Sequence, residues 1–374
     1  MKLLQADLCS SYPLARAGGH RTVHSLLLQL SHTSNFQSDF QCMALIPRRG
    51  LGSQLPDYDP RLADFEALGV RGVRLPADRW IFDCGYPVHA VDRVEEVFPS
   101  LLDSFSPDVV WSNCFASVPL LLEACRAGAG AVWYLHDRRP RPDHLRCALD
   151  AGVQLVAVSR FIADRAARES GGNCDVVYPL VNETDYIAAP AAEQYVTFIN
   201  PRAVKGYEVF LGLPPLLPEV QFLVVEAWPL GDERADVERR LAGFNNVRFL
   251  RQVADVREIY QKTRVLLVPS IVEEGGPRVI REAQLNGIPV LGSPRGGIPE
   301  MVGEGGHIVA DYLDPASWAE EIRVLLDEPD VYAAMSARAR ANAWREELRT
   351  ETIVERFAGI CRSAAKSRIG ALPA

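Results

Sequence analysis

The stretch 269-PSIVEEGGPRVIREA-283 has the pattern of a buried strand, followed by an acidic, glycine-rich turn and then a helix. The apolar run at residues 265–268 has the length of a strand, and Gly275 and Gly276 permit close approach of backbone to a ligand. We expect Pro277 in the first turn of the helix, where its missing N–H costs nothing. A helix terminus after a parallel strand offers unpaired N–H groups to an anion. The stretch therefore predicts a ligand site.

Two carboxylates beside an anion site would repel phosphate, so the acidic turn is better suited to holding hydroxyl groups. Seven residues separate Glu274 from Glu282. This spacing places Glu274 at the turn and Glu282 inside the helix, about one turn beyond Arg278 and facing the groove. The alternative interpretation is an ordinary helix start with acidic residues that complement the helix dipole.

Together with 287-GIPV-290 and 296-GGIPE-300, this stretch resembles family 4 of the glycosyltransferases. The resemblance implies a GT-B fold, in which two Rossmann-like doubly wound domains face each other across a deep cleft. It also implies sugar transfer with retention of configuration. In the family, the residue matching Glu274 contacts the donor sugar, and the residue matching Glu282 contacts the nucleotide ribose. Pro277 departs from the pattern, since the family usually has a second glycine there and proline cannot donate a backbone hydrogen bond.

Length and composition are typical of a globular protein with two domains. The chain has 374 residues, of which 48% are hydrophobic. No stretch reaches the roughly 18 apolar residues that a membrane span needs, and residues 1–13 are too polar for a signal peptide, so we expect a cytoplasmic protein. The eight cysteines occur singly, which argues against a zinc site or a disulfide framework and predicts reduced thiols. The net charge of −8 disfavours nucleic-acid binding.

Strand-like apolar runs alternate with helical patterns, which predicts an α/β fold with parallel sheets. The runs are residues 3–8, 42–46, 109–111, 132–135, 155–158, 176–178, 195–199, 222–225, 247–250, 265–268 and 289–291. The polar segment 181–193 has no clear period and is interpreted as a linker. We expect an acceptor-binding domain at residues 1–185 and a donor-binding domain at 186–345. The resemblance implies that a final helix at 346–374 packs back on the first domain.

A second candidate site is 200-NPRAVKG-206, which directly follows the predicted strand 195–199. Arg202 and Lys205 are suited to a diphosphate, the arginine as a fork and the lysine as a compact charge. The resemblance implies the same role, stabilising the departing nucleoside diphosphate. The alternative is surface pairing with Glu208.

Two strand ends in the first half carry further candidates. Gly18 and Gly19 follow the first strand and open an apolar helix, without the third glycine of a dinucleotide fingerprint. The resemblance places such a turn close to the donor phosphates and the acceptor. His20 and Arg21 are candidates for acceptor contact or for simple exposure. His136 and Asp137 end another strand, and the resemblance places the histidine beside the transferred sugar; a structural role is the alternative.

Four weaker signals complete the candidates. Val253 corresponds by pattern to a position whose backbone often pairs with the nucleotide base. The stretch 138-RRPRPDHLR-146 is basic and is interpreted as a solvated loop, with membrane docking or acceptor binding as alternatives. The pair Asp57 and Asp59 lies between prolines and predicts a surface turn, not a metal site. The aromatic segment 48–87 is expected to be irregular and is a candidate for shaping the acceptor site.

These residues predict a retaining glycosyltransferase that moves a sugar from a nucleoside diphosphate sugar to a hydroxyl of a small molecule, lipid or glycan. A UDP-sugar is favoured over a GDP-sugar. The donor is a substrate, and neither a further cofactor nor a metal is expected. The alternatives are a noncatalytic subunit that binds nucleotide sugars and another GT-B activity such as an epimerase or a phosphorylase.

Overall fold

The computed structural model describes residues 1–8, 18–32, 39–47, 70–75, 79–137, 139–253 and 255–367. The chain divides into two compact units. Unit 1 comprises Met1–Leu180 and Glu351–Ala374, and unit 2 comprises Val181–Thr350.

Unit 1 is built on a sheet of nine described strands in the order β3-β4-β5-β2-β1-β6-β7-β8-β9. The strands from β5 to β9 pair in parallel, whereas β3, β4 and β5 pair antiparallel at one edge. Their bounds are β1 Lys2–Ala6, β2 Gln41–Pro47, β3 Arg71–Leu75, β4 Arg79–Asp83, β5 Pro87–Val91, β6 Val109–Ser112, β7 Gly130–Leu135, β8 Gln154–Ala157 and β9 Cys174–Val176. The described helices of this unit are α1 Gly18–His32, α2 Val94–Phe105, α3 Val118–Arg126, α4 Pro142–Asp150, α5 Arg160–Ser170 and, after unit 2, α14 Thr350–Ser367.

Unit 2 is built on six described parallel strands in the order β12-β11-β10-β13-β14-β15. Their bounds are β10 Tyr195–Ile199, β11 Phe222–Val225, β12 Val247–Leu250, β13 Thr263–Val268, β14 Val290–Gly292 and β15 Gly306–Ile308. The helices are α6 Tyr207–Leu211, α7 Leu213–Leu216, α8 Arg234–Leu241, α9 Arg257–Tyr260, α10 Arg278–Leu285, α11 Ile298–Val302, α12 Pro315–Asp327 and α13 Pro329–Ala343. The parallel sheets predicted from the alternation of strands and helices are confirmed.

The order of strands in unit 2 reverses between β10 and β13. From β10 the chain builds outward through β11 and β12, and then returns to place β13 on the other side. In open parallel sheets, ligands bind outside the carboxyl ends of the strands at such a switch point. The loops after Ile199 and Val268 therefore form the edge at which a ligand is expected.

The core of unit 2 consists of large apolar side chains that pack between the sheet and its helices. Phe198 and Phe210 stack with ring centroids 5.1 Å apart, and Phe222 meets Phe210 edge-on at 5.7 Å. Trp318 of α12 is fully buried. The Asp314 side chain accepts a hydrogen bond from the Ala316 N–H, so it caps α12.

The last helix, α14, packs within unit 1. The ring of Phe357 lies 4.7 Å from the ring of Trp111 on β6, and both side chains are buried. A Cβ atom on Gly130 would come within 2.6 Å of the Ala364 carbonyl oxygen, so glycine allows β7 to approach this helix closely.

Two expectations from the sequence are wrong. The segment 48–87 was expected to be irregular, but its described residues include β3 and β4, which form an antiparallel edge with β5. Trp80 and Phe82 lie on the same side of β4 and stack at 6.2 Å, which gives this strand, next to the edge strand β3, a packed face. The expectation of reduced cysteines is wrong for Cys114, which is disulfide-bonded. Six other cysteines are free.

None of the helices that the structure describes is both long enough and apolar enough to cross a membrane.

Candidate functional site

The loops after β10 and β13 bring together three of the predicted site residues in unit 2. Arg202 and Lys205 lie in the short segment after β10, and Glu274 lies in the turn after β13. The Ile271 N–H donates to the Val204 carbonyl oxygen at 3.1 Å, which joins the two loops backbone to backbone. The two loops meet because β10 and β13 are adjacent parallel strands, which end at the same edge of the sheet.

Gly206 makes this close approach possible. Its φ is +85°, and a Cβ atom there would lie 2.0 Å from the Pro269 carbonyl oxygen. Only glycine combines the left-handed conformation with room for the neighbouring backbone. The position of Lys205 relative to the β13 loop therefore depends on Gly206.

Lys205 and Glu274 form a direct ion pair. Lys205 Nζ lies 2.5 Å from Glu274 Oε1, and the two side chains are 17% and 15% exposed, respectively. The Ser270 hydroxyl donates to the same carboxylate oxygen at 2.7 Å. The alternative pairing of Lys205 with Glu208 is not seen, because both carboxylate oxygens of Glu208 accept from Arg240 at 2.7 Å. The site thus carries one positive and one negative group in contact, both shielded from bulk water.

The turn that carries Glu274 is held by the predicted glycine pair that precedes α11. The Gly297 N–H donates to the Glu274 carbonyl oxygen at 2.8 Å. Gly296 forms a bridge with Glu274, and a Cβ atom on Gly296, whose φ is +65°, would lie 2.3 Å from the same carbonyl oxygen. The 296-GGIPE-300 motif therefore positions Glu274 through backbone contacts.

Arg202 extends along the neighbouring loop, which follows β11. Its Nη2 donates to the Pro229 carbonyl oxygen at 2.6 Å, and its Nη1 lies 3.2 Å from Glu233 Oε2. The side chain is 18% exposed. Arg202 and Lys205 therefore lie at the same edge of the sheet, each paired with a carboxylate of the chain.

The β11 loop contains site-edge residues that the sequence analysis did not identify. Trp228 places its ring 5.0 Å from Lys205 Nζ. Asn200, which has a φ of +64°, accepts from the N–H groups of Ala227 and Trp228 at 3.1 and 2.7 Å. The polar segment 200–206 signals a loop, but nothing in the local pattern shows that it would anchor a loop almost thirty residues later.

Helix α10 begins at Arg278, and Pro277 is its N-cap with φ −70° and ψ 109°. The prediction that Pro277 lies in the first helical turn is therefore wrong by one position. Its carbonyl oxygen accepts from the Ile280 N–H at 3.2 Å, so Pro277 closes the first turn through its acceptor and not through a donor. Gly275 is buried and Gly276 is partly exposed before the helix starts.

Glu282 lies inside a buried polar cluster instead of facing an open groove. Its two carboxylate oxygens accept from Tyr260 Oη at 2.6 Å and from Arg278 Nε at 3.3 Å. Arg278 also donates to Tyr186 Oη at 2.8 Å. Burial, together with the adjacent Glu282 carboxylate, raises the pKa of Tyr260 well above its usual value. The cluster arises because α9 packs over α10, a contact that the helical period of α10 alone does not reveal.

Val253 lies in the loop after β12 and is partly buried. The neighbouring Gln252 side chain donates to the Ala227 carbonyl oxygen at 3.2 Å, so this loop touches the β11 loop. Its pairing with a nucleotide base stays a prediction. Asp57 and Asp59 lie outside the described residues, and among those described no three His, Cys, Asp or Glu side chains form a group suited to a metal ion.

In unit 1 the predicted glycine turn and the predicted histidine lie side by side. Gly18 and Gly19 open α1, and a Cβ atom on Gly19 would lie 3.1 Å from His136 Nδ1. His136 follows β7 and packs its ring edge-on against Tyr134 at 4.4 Å. Asp137 is held by Arg139, whose Nε donates to Asp137 Oδ2 at 2.6 Å. The small size of Gly19 therefore allows the close approach of the imidazole.

His20 is partly buried at the start of α1. Burial, reinforced by the positive charge of Arg139, lowers its pKa from 6.5 to about 4. The imidazole is therefore neutral near pH 7. Arg21 is exposed.

A buried carboxylate at the carboxyl end of β1 also escaped the sequence analysis. Asp7 is fully buried and holds the ends of β1 and β6 together. Its donors are Gln5 Nε2 at 2.5 Å, the N–H groups of Asn113 and Cys114 at 3.2 and 3.1 Å, and the hydroxyls of Ser112 and Ser117. A lone aspartate after an apolar run carries no signal that distinguishes it from an exposed turn residue.

The basic stretch predicted as a solvated loop is a loop only up to Arg141, because α4 begins at Pro142. Its described arginines, Arg139, Arg141 and Arg146, are exposed, whereas Pro140 and Leu145 are buried. Arg141 is the N-cap residue of α4, and its Nη2 lies 3.7 Å from Asp143. Both side chains are more than 60% exposed. Position 138 lies outside the described residues.

Part of the second unit is similar to a family of known proteins. Residues 194–328 match the family model of the group 1 glycosyl transferases, and this stretch contains Arg202, Lys205, Glu274 and Glu282. Over 116 residues the chain is 35% identical to D-inositol 3-phosphate glycosyltransferase of Corynebacterium kroppenstedtii, which covers 30% of this chain and 26% of that protein. Over 154 residues it is 32% identical to spore coat protein SA of Bacillus subtilis, which covers 37% and 41%. The chain thus aligns with less than half the length of either relative.

Solved structures resemble the whole chain. Anabaena HepE in complex with UDP has a TM-score of 0.75 and 19% identity over 97% of this chain and 100% of that chain. Sucrose-phosphate synthase from Thermosynechococcus elongatus has a TM-score of 0.72 and 16% identity over 98% and 99%. The predicted GT-B fold is confirmed by these likenesses, and the predicted resemblance to glycosyltransferases is confirmed for residues 194–328.

Proposed function

We propose that this chain is a retaining glycosyltransferase of family 4, which transfers a sugar from a nucleoside diphosphate sugar to a hydroxyl group. The observation that carries the proposal is the ion pair of Lys205 and Glu274 at the switch point between β10 and β13. The family match over residues 194–328 supports the same reading.

The ion pair suits a donor that carries both a diphosphate and sugar hydroxyls. A bound diphosphate attracts Lys205 and repels Glu274, so it competes with the carboxylate for the ammonium group. Glu274, which still accepts a hydrogen bond from the Ser270 hydroxyl, is then available to accept hydrogen bonds from sugar hydroxyls. When Lys205 exchanges Glu274 for the diphosphate, Lys205 thus binds the phosphate end of the donor and Glu274 is free to bind the sugar end.

The charge that develops on the leaving nucleoside diphosphate is stabilised by Arg202 and Lys205. Fixed positive groups in a partly shielded site stabilise a developing anion more strongly than water does. The acceptor hydroxyl attacks from the face that the diphosphate leaves, and a phosphate oxygen takes its proton. The glycosidic bond to phosphate breaks as the bond to the acceptor oxygen forms, so configuration is retained.

We assign UDP as the nucleotide of the donor, with GDP as the alternative. Support comes from the similar fold of HepE, whose structures hold UDP and UDP-glucose. The acceptor is a hydroxyl of a small molecule, lipid or glycan. The relatives named D-inositol 3-phosphate glycosyltransferase are consistent with a small polyol, but they align over too short a stretch to single it out.

The test is release of nucleoside diphosphate from UDP-glucose, UDP-N-acetylglucosamine and GDP-mannose, each with and without a pool of polyol and glycan acceptors. We expect release from one donor that depends on the acceptor pool, and new glycoside in the products. Binding without turnover in any combination would favour the noncatalytic subunit. The absence of both binding and turnover would overturn the proposal.

A further inference from the structure

The loop after β11 is fixed more firmly than a surface connection requires. Asn200 Oδ1 holds the Ala227 and Trp228 N–H groups from one side, and Arg202 Nη2 holds the Pro229 carbonyl oxygen from another. The backbone around Trp228 is therefore tied to the same segment that carries Lys205.

The far end of this loop is fixed by a buried carboxylate. Glu226 is fully buried and accepts from the Leu230 N–H at 2.8 Å. Arg234 binds both of its oxygens, at 3.0 and 2.7 Å. A bidentate pair has little freedom to move, so Trp228 occupies a set position.

The ring of Trp228 faces the ammonium group of Lys205. The distance from Lys205 Nζ to the ring is 5.0 Å, within the range of a cation–π interaction, for which tryptophan is the strongest partner. Glu274 contacts the same ammonium group. Lys205 Nζ therefore lies between a carboxylate and an aromatic face.

These two partners behave differently when a diphosphate binds. The carboxylate competes with phosphate for the ammonium group. The aromatic face carries no net charge, so phosphate does not repel it from the ammonium group. A lysine side chain is flexible, and an ammonium group that loses its only partner would lose its position. The aromatic face supplies a contact that persists through the exchange.

We propose that Trp228 is a positioning residue that keeps the Lys205 ammonium group at the diphosphate site while Lys205 exchanges Glu274 for phosphate. The inference rests on the proposed function. It adds a residue from the β11 loop to the donor site. This residue acts by contacting the Lys205 ammonium group, and not by binding the base or the sugar of the donor.

The first test needs no ligand. The chain has four lysines, at positions 2, 205, 262 and 366, so 13C-labelled lysine gives few side-chain NMR signals. We expect the ε-methylene signal of Lys205, identified by its loss in Lys205→Met, to be shifted upfield by the Trp228 ring current. The shift should disappear in Trp228→Leu. A signal at the ordinary lysine position in the native protein would overturn the inference whether or not the proposed function holds.

The second test is a double-mutant cycle of Trp228 and Lys205 on nucleotide affinity. UDP, GDP and ADP are first compared by calorimetry, and the cycle is measured with the nucleotide that binds most tightly. We expect Trp228→Phe to bind within about 3-fold of the native protein and Trp228→Leu to bind about 3- to 30-fold more weakly. In the Lys205→Met background, Trp228→Leu should have little further effect. An equal loss in both backgrounds would show that Trp228 stacks on the ligand and would overturn the inference.

Trp344→Leu is the matched control, because Trp344 is 44% exposed. We expect it to leave nucleotide affinity unchanged. Thermal unfolding of each variant separates a lost contact from a lost fold. A native chain that binds none of the three nucleotides contradicts the proposed function, while the NMR signal still decides the role of Trp228.

Discussion

Lys205 Nζ lies 2.5 Å from Glu274 Oε1, although the two residues are separated by almost seventy positions in the sequence. They meet because β10 and β13 are adjacent parallel strands at the switch point of the sheet. Each residue has a different task in the proposed reaction, so substitutions of the two should have different consequences.

We predict that Glu274→Gln lowers turnover about 10- to 100-fold, because the amide replaces a charged acceptor of sugar hydroxyls. Affinity for the free nucleoside diphosphate should stay the same or rise, since Lys205 loses a competing partner. Steady-state kinetics and calorimetry measure the two quantities. Glu273→Gln is the control and should change neither by more than about 3-fold; equal effects of the two substitutions would contradict the assignment of Glu274.

We predict that Glu282→Ala lowers the free energy of unfolding by about 3 kcal/mol, because it leaves the Arg278 guanidinium and the Tyr260 hydroxyl in a buried cluster without their shared acceptor. Urea unfolding measures the loss. Glu258→Ala, at an exposed position on the same α9 helix as Tyr260, should change stability by less than about 0.5 kcal/mol. An unchanged unfolding midpoint in Glu282→Ala would show that the cluster contributes nothing to stability.

Gly206→Ala should disrupt the joined loops, because the new Cβ atom would lie 2.0 Å from the Pro269 carbonyl oxygen. The expected result is a loss of several kcal/mol in stability together with weaker nucleotide binding, measured by thermal unfolding and calorimetry. Gly231→Ala provides the contrast, since Gly231 also has a positive φ, +56°, but open space around it. That variant should lose only about 1 kcal/mol. If both variants lost the same amount, backbone strain and not the close approach would explain Gly206.

The pH dependence of stability should reflect His20, whose folded-state pKa of about 4 lies below the ordinary 6.5. As pH falls below 6.5, the unfolded chain binds a proton that the folded chain does not take up until about pH 4. The free energy of unfolding therefore falls across this window, by at most about 3 kcal/mol before solvent screening. Unfolding midpoints at pH 7, 6 and 5 measure the slope. We expect His20→Gln to reduce it and His32→Gln, at an exposed position, to leave it unchanged; equal slopes in all three proteins would contradict the burial of His20 as its cause.

Much of the fold of unit 2 was accessible from the sequence because its strands are short, apolar and separated by clear turn signals. The bounds of β10, β11 and β12 agree with the predicted runs. Lys205 meets Glu274 because β10 and β13 are adjacent parallel strands, and the local sequence pattern does not display this adjacency. In unit 1, the strands β3 and β4 were missed because their stability comes from pairing with each other and with β5, which no local pattern displays.

The parts of the site that could not be predicted depend on contacts between segments distant in sequence. Trp228 reaches Lys205 only because Asn200 holds its backbone. Glu282 was expected in a groove, but Tyr260 from α9 covers it. Helical period identifies which residues share a face, but it does not say which neighbouring helix packs over that face.

Calorimetric titration of UDP and GDP into the native chain, Lys205→Ala and Lys262→Ala tests the proposal that Lys205 holds the diphosphate of a nucleotide-sugar donor. We predict that the native chain and Lys262→Ala bind one of the nucleotides with similar affinity, whereas Lys205→Ala binds it about 10- to 100-fold more weakly with little change in thermal stability. Equal affinity of Lys205→Ala and the native chain would contradict the claim.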